Sequence, residues 1–345
     1  MRVLAAMSGG VDSSVAAALL LEQGHDVVGA TMKLWGGASD SGCCSVADVE
    51  DARRVAQQLG VTHHVFNFTD DFDRHVVDPY VAAHAEGRTP NPCVECNRHL
   101  KFDRFLHRAG QLGFDAVATG HHARVDRDDA GRWHLRRGAD EAKDQSYVLY
   151  MLGQAELSRV LLPVGELTKA EVRADATRLG LRTADKPDSQ DVCFITSTGG
   201  RSQFLGDRLT LHPGRVVDDT GADVGRVDAV ELVTVGQRRG LGVGGGDRRY
   251  AVAVDVGART VRIGAAEELL TAGVEFEDLC WVDAAPAIGT AVTVQAGAHG
   301  HPRPAVFTGT GVEFVTPQTR VAPGQSVVLY AGDDVIGGGI AAGGG

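Results

Sequence analysis

The stretch Ala5-Ala6-Met7-Ser8-Gly9-Gly10-Val11-Asp12-Ser13-Ser14 decides the fold of the N-terminal part of the chain. The apolar run before it, residues 3–6, predicts a buried strand. The apolar run after it, residues 15–21, predicts a buried helix that ends near Gly24. A tight Ser-Gly-Gly turn between a strand and a helix directs several backbone N–H groups and a helix N-terminus at one point. The stretch therefore predicts a phosphate-binding loop.

This loop matches neither of the two commonest phosphate-binding loops. A Walker A loop requires a Lys after its last Gly, and a dinucleotide-binding loop requires Gly-x-Gly-x-x-Gly; the stretch has neither. It instead resembles the SGGxDSS pyrophosphate loop of the ATP-pyrophosphatase (PP-loop) superfamily, whose members cleave ATP to AMP and pyrophosphate. The alternative interpretation is an ordinary turn in which Asp12 or Ser13 only caps the helix.

Composition indicates a globular protein of two or three domains, because the chain has 345 residues with ordinary apolar and charged fractions. Six cysteines are too few for a disulfide scaffold at this length, and residues 1–2 lead directly into a strand without a signal peptide. No apolar run reaches the length of a membrane span. We therefore expect a cytoplasmic protein with no membrane partner.

Net charge leaves a nucleic-acid partner open. The formal charge of −11 argues mildly against one, because phosphate contacts require Lys and Arg. The local distribution can overrule the total, and basic residues cluster at residues 97–104 and in the pairs 136–137, 238–239 and 248–249.

Alternating strands and helices predict an α/β fold. Strands are predicted at residues 27–32, 64–68 and 114–119, and an amphipathic helix at 47–59 ends at Gly60. This order is typical of a doubly wound parallel sheet (adenine nucleotide hydrolase-like). Because ligands bind at the carboxyl ends of such strands, Met32 is a candidate neighbour of an adenine ring.

Short strands between Gly and Pro turns follow in the second half. They predict a small β-rich module and then a C-terminal β-barrel. The predicted boundaries are 1–200 for the ATP-binding catalytic domain, 201–262 for the central module and 263–345 for the barrel domain.

A second chemically distinctive stretch is Gly87-Arg88-Thr89-Pro90-Asn91-Pro92-Cys93-Val94-Glu95-Cys96-Asn97. Two prolines predict a stiff loop, and Asn97 is a good N-cap for a helix over residues 98–110. Cys96 would then lie at a helix N-terminus beside Arg98 and Lys101, which would favour a nucleophilic thiolate. The alternative is half of a zinc site, with Cys43 and Cys44 as the other half.

Nine ordered motifs make the chain similar to the tRNA-specific 2-thiouridylase family over essentially its whole length. They are the pyrophosphate loop, residues 87–92, Cys96-Asn97, Ala118-Thr119-Gly120-His121, Lys143-Asp144-Gln145-Ser146-Tyr147, residues 163–167, Cys193-Phe194-Ile195, residues 235–242 and Pro323-Gly324-Gln325-Ser326.

The resemblance implies a two-step reaction on the wobble uridine of tRNAs for Lys, Glu and Gln. ATP first adenylates the C2 oxygen with release of pyrophosphate, and persulfide sulfur from a sulfur-donor protein then displaces AMP to give 2-thiouridine. ATP and Mg²⁺ are the expected cofactors, with Asp12 as helix cap and Mg²⁺ partner, and no DNA partner is expected.

The same resemblance assigns residues to roles. Cys96 and Cys193 are the expected catalytic pair. The expected nucleotide contacts are Ala6, Met7, Ser8, Gly9, Gly10, Val11, Asp12, Ser13, Met32 and Gly120. The expected tRNA contacts are His121, Lys143, Asp144, Gln145 and Gln325.

Cys93 departs from the family pattern, because many relatives carry an Asp there that is suggested to act as a general base. With Cys93, Cys96 and Cys193 the chain has three thiols that could hold a [4Fe–4S] cluster with one open iron. A disulfide between Cys96 and Cys193 during sulfur transfer is the competing hypothesis.

Two other functions remain open from the sequence. Another PP-loop ATP-pyrophosphatase, a ligase or amidotransferase acting on a small molecule, would need neither Cys96 nor Cys193. A nucleotide-binding sensor with a β-rich partner-binding module would bind ATP without releasing pyrophosphate.

Overall fold

The computed structural model describes residues 1–35, 45–188, 192–195, 199–244, 248–298 and 300–343. The strands found there, in chain order, are β1 (Arg2–Ala6), β2 (Asp26–Lys33), β3 (His63–Asn67), β4 (Ala116–Ala118), β5 (Ala123–Arg127), β6 (Trp133–Arg137), β7 (Val160–Leu161), β8 (Gly214–Val217), β9 (Asp223–Val227), β10 (Tyr250–Asp255), β11 (Thr260–Gly264), β12 (Leu270–Trp281), β13 (Ala291–Ala296), β14 (Arg303–Phe307), β15 (Gly311–Thr319), β16 (Ser326–Ala331) and β17 (Asp334–Ala341).

The helices connect mainly the first seven strands. The α-helices are α1 (Val11–Glu22), α2 (Val46–Leu59), α3 (Thr69–Phe72), α4 (Asp78–Ala85), α5 (Pro92–Glu95), α6 (Phe105–Gln111), α7 (Gln154–Leu157), α8 (Lys169–Arg178) and α9 (Gly200–Gly206). Two π-helical segments, Asp73–Val77 and Cys96–Arg104, join α3 to α4 and α5 to α6, and 3₁₀ turns lie at Ser146–Leu149, Val230–Leu232 and Ala266–Leu269.

A five-stranded parallel sheet forms the N-terminal part, in the order β3-β2-β1-β4-β7. Val3 and Ala5 of β1 pack into a core shared with α1, α2 and α8, whereas Leu4 packs into a core shared with the helical segments between residues 92 and 111. Successive residues of a strand point to opposite faces, so helices cover both faces of the sheet. The predicted doubly wound parallel sheet is confirmed.

Two further sheets follow. The central sheet has the order β10-β11-β8-β9 and its own apolar core. The C-terminal sheet runs β12-β15-β14-β13-β16-β17, and β12 also pairs with β17, which closes a six-stranded antiparallel barrel. The predicted C-terminal β-barrel is therefore confirmed.

The barrel is joined to the N-terminal part by a hairpin that the sequence did not predict. Strands β5 and β6 form this hairpin, and β6 pairs with β17 at Arg136 and Asp334. The Tyr147 hydroxyl also donates to the Ser326 carbonyl oxygen at 2.7 Å. These contacts fix the barrel beside the loops at the carboxyl edge of the parallel sheet.

The helix that carries Cys96 begins earlier than predicted. Asn91, not Asn97, is the N-cap: its side-chain oxygen accepts from the Cys93 N–H at 3.0 Å, and Pro92 occupies the first helical turn. Pro is well suited to that position because its missing N–H would be unpaired there anyway. The prediction of a helix starting after Asn97 is wrong, and Cys96 lies one turn inside the helix.

None of the helices in the described ranges combines the length and apolar character that crossing a lipid bilayer requires.

Candidate active site

The pyrophosphate loop is shaped by two glycines. Gly9 has a φ of 76°, and a Cβ atom there would lie 2.4 Å from the Asp48 carbonyl oxygen at the start of α2. Gly10 is the N-cap of α1, with no side-chain capping bond. The prediction that Asp12 or Ser13 caps this helix is therefore wrong, because the turn places both inside the first helical turn.

The loop is closed from the other side by Gly120, which follows β4. A Cβ atom on Gly120 would lie 2.5 Å from the Ser13 nitrogen and 2.7 Å from the Asp12 carbonyl carbon. No other residue type could stand this close to the loop backbone. Met32, near the end of β2, is 9% exposed.

A cavity of about 590 Å³ opens between the carboxyl edge of the sheet, the Cys96 helix and the segment around Cys193. It is large enough for a nucleotide or another small-molecule ligand. Of the residues predicted as site residues, those that line it are Ala6, Met7, Ser8, Gly10, Val11, Asp12, Ser13, Met32, Cys93, Cys96, Gly120, His121, Lys143, Asp144, Gln145 and Cys193. Gly9 instead faces Asp48, and Gln325 donates its amide to the Thr89 carbonyl oxygen.

Asp12 is held by basic groups on one wall of the cavity. The Lys169 Nζ lies 2.6 and 2.8 Å from its two carboxylate oxygens, and the His122 Nε2 lies 3.2 Å from one of them. Burial acts to raise the pKa of Asp12, but the hydrogen bonds with His122 and Lys169 outweigh it and hold the pKa below its usual value. Asp12 is therefore a carboxylate at neutral pH.

A second carboxylate, Asp188, continues this network. It accepts from Lys143 at 2.8 Å, from Arg173 at 2.8 Å and from Lys169 at 2.9 Å. Burial acts to raise the pKa of Asp188, but the bonds with Lys143 and Lys169 lower it to about 2. Lys143 and Lys169, two lysines of the cavity wall, are thus both paired with Asp188, which lies five residues before Cys193.

Three cysteines, Cys93, Cys96 and Cys193, line the same cavity as the loop. Cys93, Cys96, Cys193 and Cys280 are thiols in the described part of the chain. Burial raises the pKa of Cys96 to about 12; Lys101 opposes this shift, and nearby Cys193 and Cys93 add to it. Arg98 does not help to lower the pKa of Cys96, because its guanidinium lies towards Glu95, Tyr150 and Cys280. The expected thiolate is not present in this conformation.

The donor set does not fit a preformed metal site. Within the described ranges, no three His, Cys, Asp or Glu side chains converge as metal ligands, which includes Cys93, Cys96 and Cys193. Lys169 donates to both Asp12 oxygens, so Asp12 is already paired with a cation in this structure. Cys43 and Cys44, the other half of the alternative zinc site, lie outside the described residues. We derive no step through a protein-bound metal or cluster.

Three protein-family models together match most of this chain. The tRNA methyl transferase HUP domain matches residues 1–197, the tRNA methyl transferase PRC-barrel domain residues 202–265, and the aminomethyltransferase beta-barrel domain residues 271–341. A tRNA-specific 2-thiouridylase MnmA from Chloroflexus aurantiacus is 49% identical, covering 98% of this chain and 97% of that protein. The chain belongs to the tRNA-specific 2-thiouridylase family.

Other curated relatives match this chain with similar identity and coverage. Proteins of the same name from Acidothermus cellulolyticus and Geobacter metallireducens are 46% and 44% identical, each covering 98% of this chain and 96% of the relative. Among solved structures, a 4-thiouridine synthetase–RNA complex with bound ATP aligns at a TM-score of 0.38 and 19% identity, over 56% of this chain and 44% of that one. That likeness is too distant to bear on the site.

The tRNA contacts that the 2-thiouridylase resemblance implied have internal partners here. The Asp144 carboxylate accepts from Arg137 and Ser146 at 2.9 Å each, and the Gln145 side-chain oxygen accepts from the His122 N–H at 2.9 Å. His121 is buried, and its Nδ1 lies 2.6 Å from the Thr119 hydroxyl. Their roles towards tRNA stay predictions.

The loop before the cysteines, residues 87–92, is held by contacts with the central and C-terminal parts of the chain. The Thr89 N–H donates to the Pro323 carbonyl oxygen at 2.7 Å, and the Thr89 hydroxyl lies 3.2 Å from that of Thr234 in the central part. Arg88 forms an ion pair with Glu277 of the barrel at 2.6 Å. We refer to these contacts, with the Gln325–Thr89 bond, as the loop clamp.

Sequence reasoning missed Lys169 and Asp188. Lys169 follows the N-cap Thr168, whose hydroxyl accepts from the Glu171 N–H in a capping box. A Lys at the first position of a helix is unfavourable beside the helix dipole, and this was the signal available in the sequence. Nothing comparable marked Asp188.

Proposed function

We propose that this chain is an ATP-dependent tRNA-uridine 2-sulfurtransferase. It adenylates the C2 oxygen of the wobble uridine and replaces that oxygen with persulfide sulfur, giving 2-thiouridine. The proposed substrates are the tRNAs for Lys, Glu and Gln, and the sulfur comes from a sulfur-donor protein. The observation that supports this most directly is that the pyrophosphate loop and three cysteines line one cavity.

The loop supports the first step. In this step the uridine C2 oxygen attacks the α-phosphorus of ATP, a new P–O bond forms, and the bond to pyrophosphate breaks. The backbone N–H groups at the start of α1 favour the negative charge of phosphate. Gly120 lets the edge of the sheet approach the loop backbone, so that Met32 and the loop face one compact site. Adenylation turns the poor oxygen leaving group into AMP.

The thiols support the second step. The terminal sulfur of a persulfide on Cys193 attacks C2, and the C2–O bond to AMP breaks. The Cys96 thiolate then attacks the inner sulfur, so that the persulfide S–S bond breaks and a Cys96–Cys193 disulfide forms. A dithiol reductant returns both residues to thiols. This route requires the two sulfurs to be near each other, and Cys193 lies close enough to Cys96 to contribute to the raised pKa of the Cys96 thiol.

The test is to incubate the enzyme with ATP, a persulfide donor and unmodified tRNA, and to measure 2-thiouridine by nucleoside mass spectrometry. Cys96→Ser and Cys193→Ser should each abolish the product, while pyrophosphate release on tRNA should persist in both. Cys280→Ser is the matched control and should retain the rate, because Cys280 lies on β12 beside Arg98 rather than in the cavity wall.

A wild-type rate in either Cys96→Ser or Cys193→Ser would remove that residue from the sulfur step. If ATP turnover needs a small-molecule acceptor and ignores tRNA, the chain is a ligase or amidotransferase of the same superfamily. If the protein binds ATP but releases no pyrophosphate in all of these conditions, it is a nucleotide-binding sensor.

A further inference from the structure

A second cavity, of about 340 Å³, adjoins the segment that carries Cys193. Val192 and Ile195, which flank Cys193 in sequence, line this second cavity, whereas Cys193 itself lines the larger one. Pro92 and Val192 line both cavities and so form part of the wall between them. We refer to the second cavity as the side pocket. A ligand bound in it would contact the segment that carries the proposed persulfide.

His84 contributes an unpaired hydrogen-bond acceptor to the wall of the side pocket. It lies on α4 and is 1% exposed; its ring bonds to the Glu231 backbone, and its Nε2 has no partner in the described part of the chain. Burial lowers the pKa of His84 to about 4, so the ring is neutral at pH 7. The nitrogen that donates to the Glu231 backbone carries the proton, which leaves Nε2 as an acceptor. A ligand with an N–H group would satisfy it.

Arg201 contributes a cation to the same wall. It lies on α9, is half-buried, and donates from Nη2 to the Leu232 carbonyl oxygen at 2.6 Å. Its charge acts to lower the pKa of both Tyr80 and His84, which places the guanidinium beside them. Among the residues that the structure describes, no carboxylate forms an ion pair with Arg201. A guanidinium has five N–H donors, so Arg201 can bind the carboxylate of a ligand.

These two polar groups favour a small amino acid over an RNA phosphate. A phosphate diester offers an anionic oxygen to Arg201 but no donor to His84 Nε2. A free α-amino acid offers both, a carboxylate and an ammonium group. The volume of the side pocket is at the small end of the range for ligand sites, and Pro92, Val192 and Ile195 add apolar surface towards Cys193.

We propose that the side pocket binds a free amino-acid persulfide, of which cysteine persulfide is the simplest, with its carboxylate on Arg201 and its ammonium group on His84 Nε2. This inference rests on the proposed function and adds a small-molecule sulfur source to the sulfur-donor protein. The Cys193 thiolate attacks the terminal sulfur of the ligand, and the S–S bond of the ligand breaks. Free cysteine leaves as a thiolate and takes up the proton that Cys193 released, while Cys193 keeps the persulfide.

The test follows persulfide formation on Cys193 by peptide mass spectrometry, in the full-length enzyme without tRNA. Freshly prepared L-cysteine persulfide should load Cys193 at a rate that saturates with its concentration. Arg201→Met should raise the half-saturating concentration about 10- to 100-fold, the usual effect of losing a charge-assisted hydrogen bond. Arg215→Met, which changes an exposed arginine of β8, is the matched control and should leave that concentration unchanged.

A change of ligand makes the same comparison without altering the protein. Cysteamine persulfide lacks the carboxylate, so its loading of Cys193 should not saturate over the same concentrations and should be insensitive to Arg201→Met. At the other polar group, His84→Gln should retain saturation with L-cysteine persulfide, because the amide oxygen can replace Nε2 as the acceptor. His84→Phe, which has no acceptor, should lose it.

Equal, non-saturating loading by L-cysteine persulfide and cysteamine persulfide would overturn the inference, and so would a half-saturating concentration that Arg201→Met leaves unchanged. If Arg201→Met slowed loading only from a persulfidated donor protein, the side pocket would be a protein docking site and the inference would be wrong. Failure of loaded Cys193 to deliver sulfur to tRNA in the presence of ATP would instead overturn the proposed function, while saturable loading would still support the side pocket.

Discussion

Cys96 shows at the scale of one residue how burial opposes reactivity. Its sequence context, with Arg98 and Lys101 close by, favoured a thiolate. The folded chain buries the thiol instead, turns Arg98 away, and leaves Lys101 as the nearby cation. The energy of burying a negative charge exceeds what one lysine returns. The proposed sulfur transfer therefore requires a change around Cys96, such as the arrival of tRNA.

We predict that Cys96 reacts slowly with iodoacetamide in the nucleotide-free enzyme. Because its pKa is raised to about 12, the thiolate fraction should rise about tenfold for each pH unit between pH 7 and 10. Peptide mass spectrometry after timed alkylation measures this for each cysteine. Lys101→Met should slow the reaction further, since Lys101 lowers the pKa. A rate that levels off near pH 7 would contradict the buried thiol.

At the scale of elements, the placement of Cys93 and Cys96 depends on where their helix begins. Asn91 and Pro92 start it, so Cys93 and Cys96, three residues apart, lie on one face of the helix and both line the cavity. The π-helical stretch that follows, Cys96–Arg104, directs the Asn97 amide to the Val148 carbonyl oxygen at 3.1 Å. This bond ties the helix to the segment that carries Lys143 and Gln145.

Asn91→Ala should lower the free energy of unfolding by about 1 kcal/mol, because the Cys93 N–H loses its capping partner. Denaturant titration measures the loss. Asn91→Ser is the matched control, since a serine hydroxyl can cap the same N–H group and should retain most of the stability. Equal stabilities for the two variants would show that the side-chain cap contributes nothing.

At the scale of the whole molecule, the loop clamp connects the segment before Cys93 and Cys96 to the other parts of the fold. Residues 87–92 belong to the N-terminal part but are held by the central and C-terminal parts of the chain. The contacts come from Thr234 in the central part and from Glu277, Pro323 and Gln325 in the C-terminal part. The barrel thereby positions the cysteine helix, independently of any contact with RNA. The domain boundaries at 1–200, 201–262 and 263–345 stay predictions.

Gln325→Ala should lower the rate of thiolation about 10- to 100-fold, because a small displacement of reacting groups is costly. ATP affinity and tRNA affinity should stay within about threefold of the unsubstituted enzyme. Gln318→Ala, on an exposed part of the barrel where the amide bonds only to Thr316 among described residues, is the control. A selective loss of tRNA affinity in Gln325→Ala would favour the direct tRNA contact that the sequence implied.

Sequence alone was sufficient for features that depend on neighbours along the chain. Ser8-Gly9-Gly10 predicted the loop because positive φ and close packing demand glycine there. Apolar runs that alternate with the helices at residues 15–21 and 47–59 predicted the parallel sheet, and short strands between Gly and Pro turns predicted the barrel. The hairpin β5–β6 was not predicted, and its pairing with β17, about 200 residues further along the chain, depends on the tertiary structure.

Tertiary structure decided what depends on distant charges and on burial. Lys169, Asp188 and Asp12 meet only because α8 packs against α1, and the pKa of the Cys96 thiol is raised because the fold buries it. Local patterns specify backbone geometry, whereas electrostatic energies depend on which groups the fold brings within a few ångströms and on how much water it excludes. The loop was therefore predictable from the sequence, and the ion pairs that join Lys169 to Asp12 and Asp188 were not.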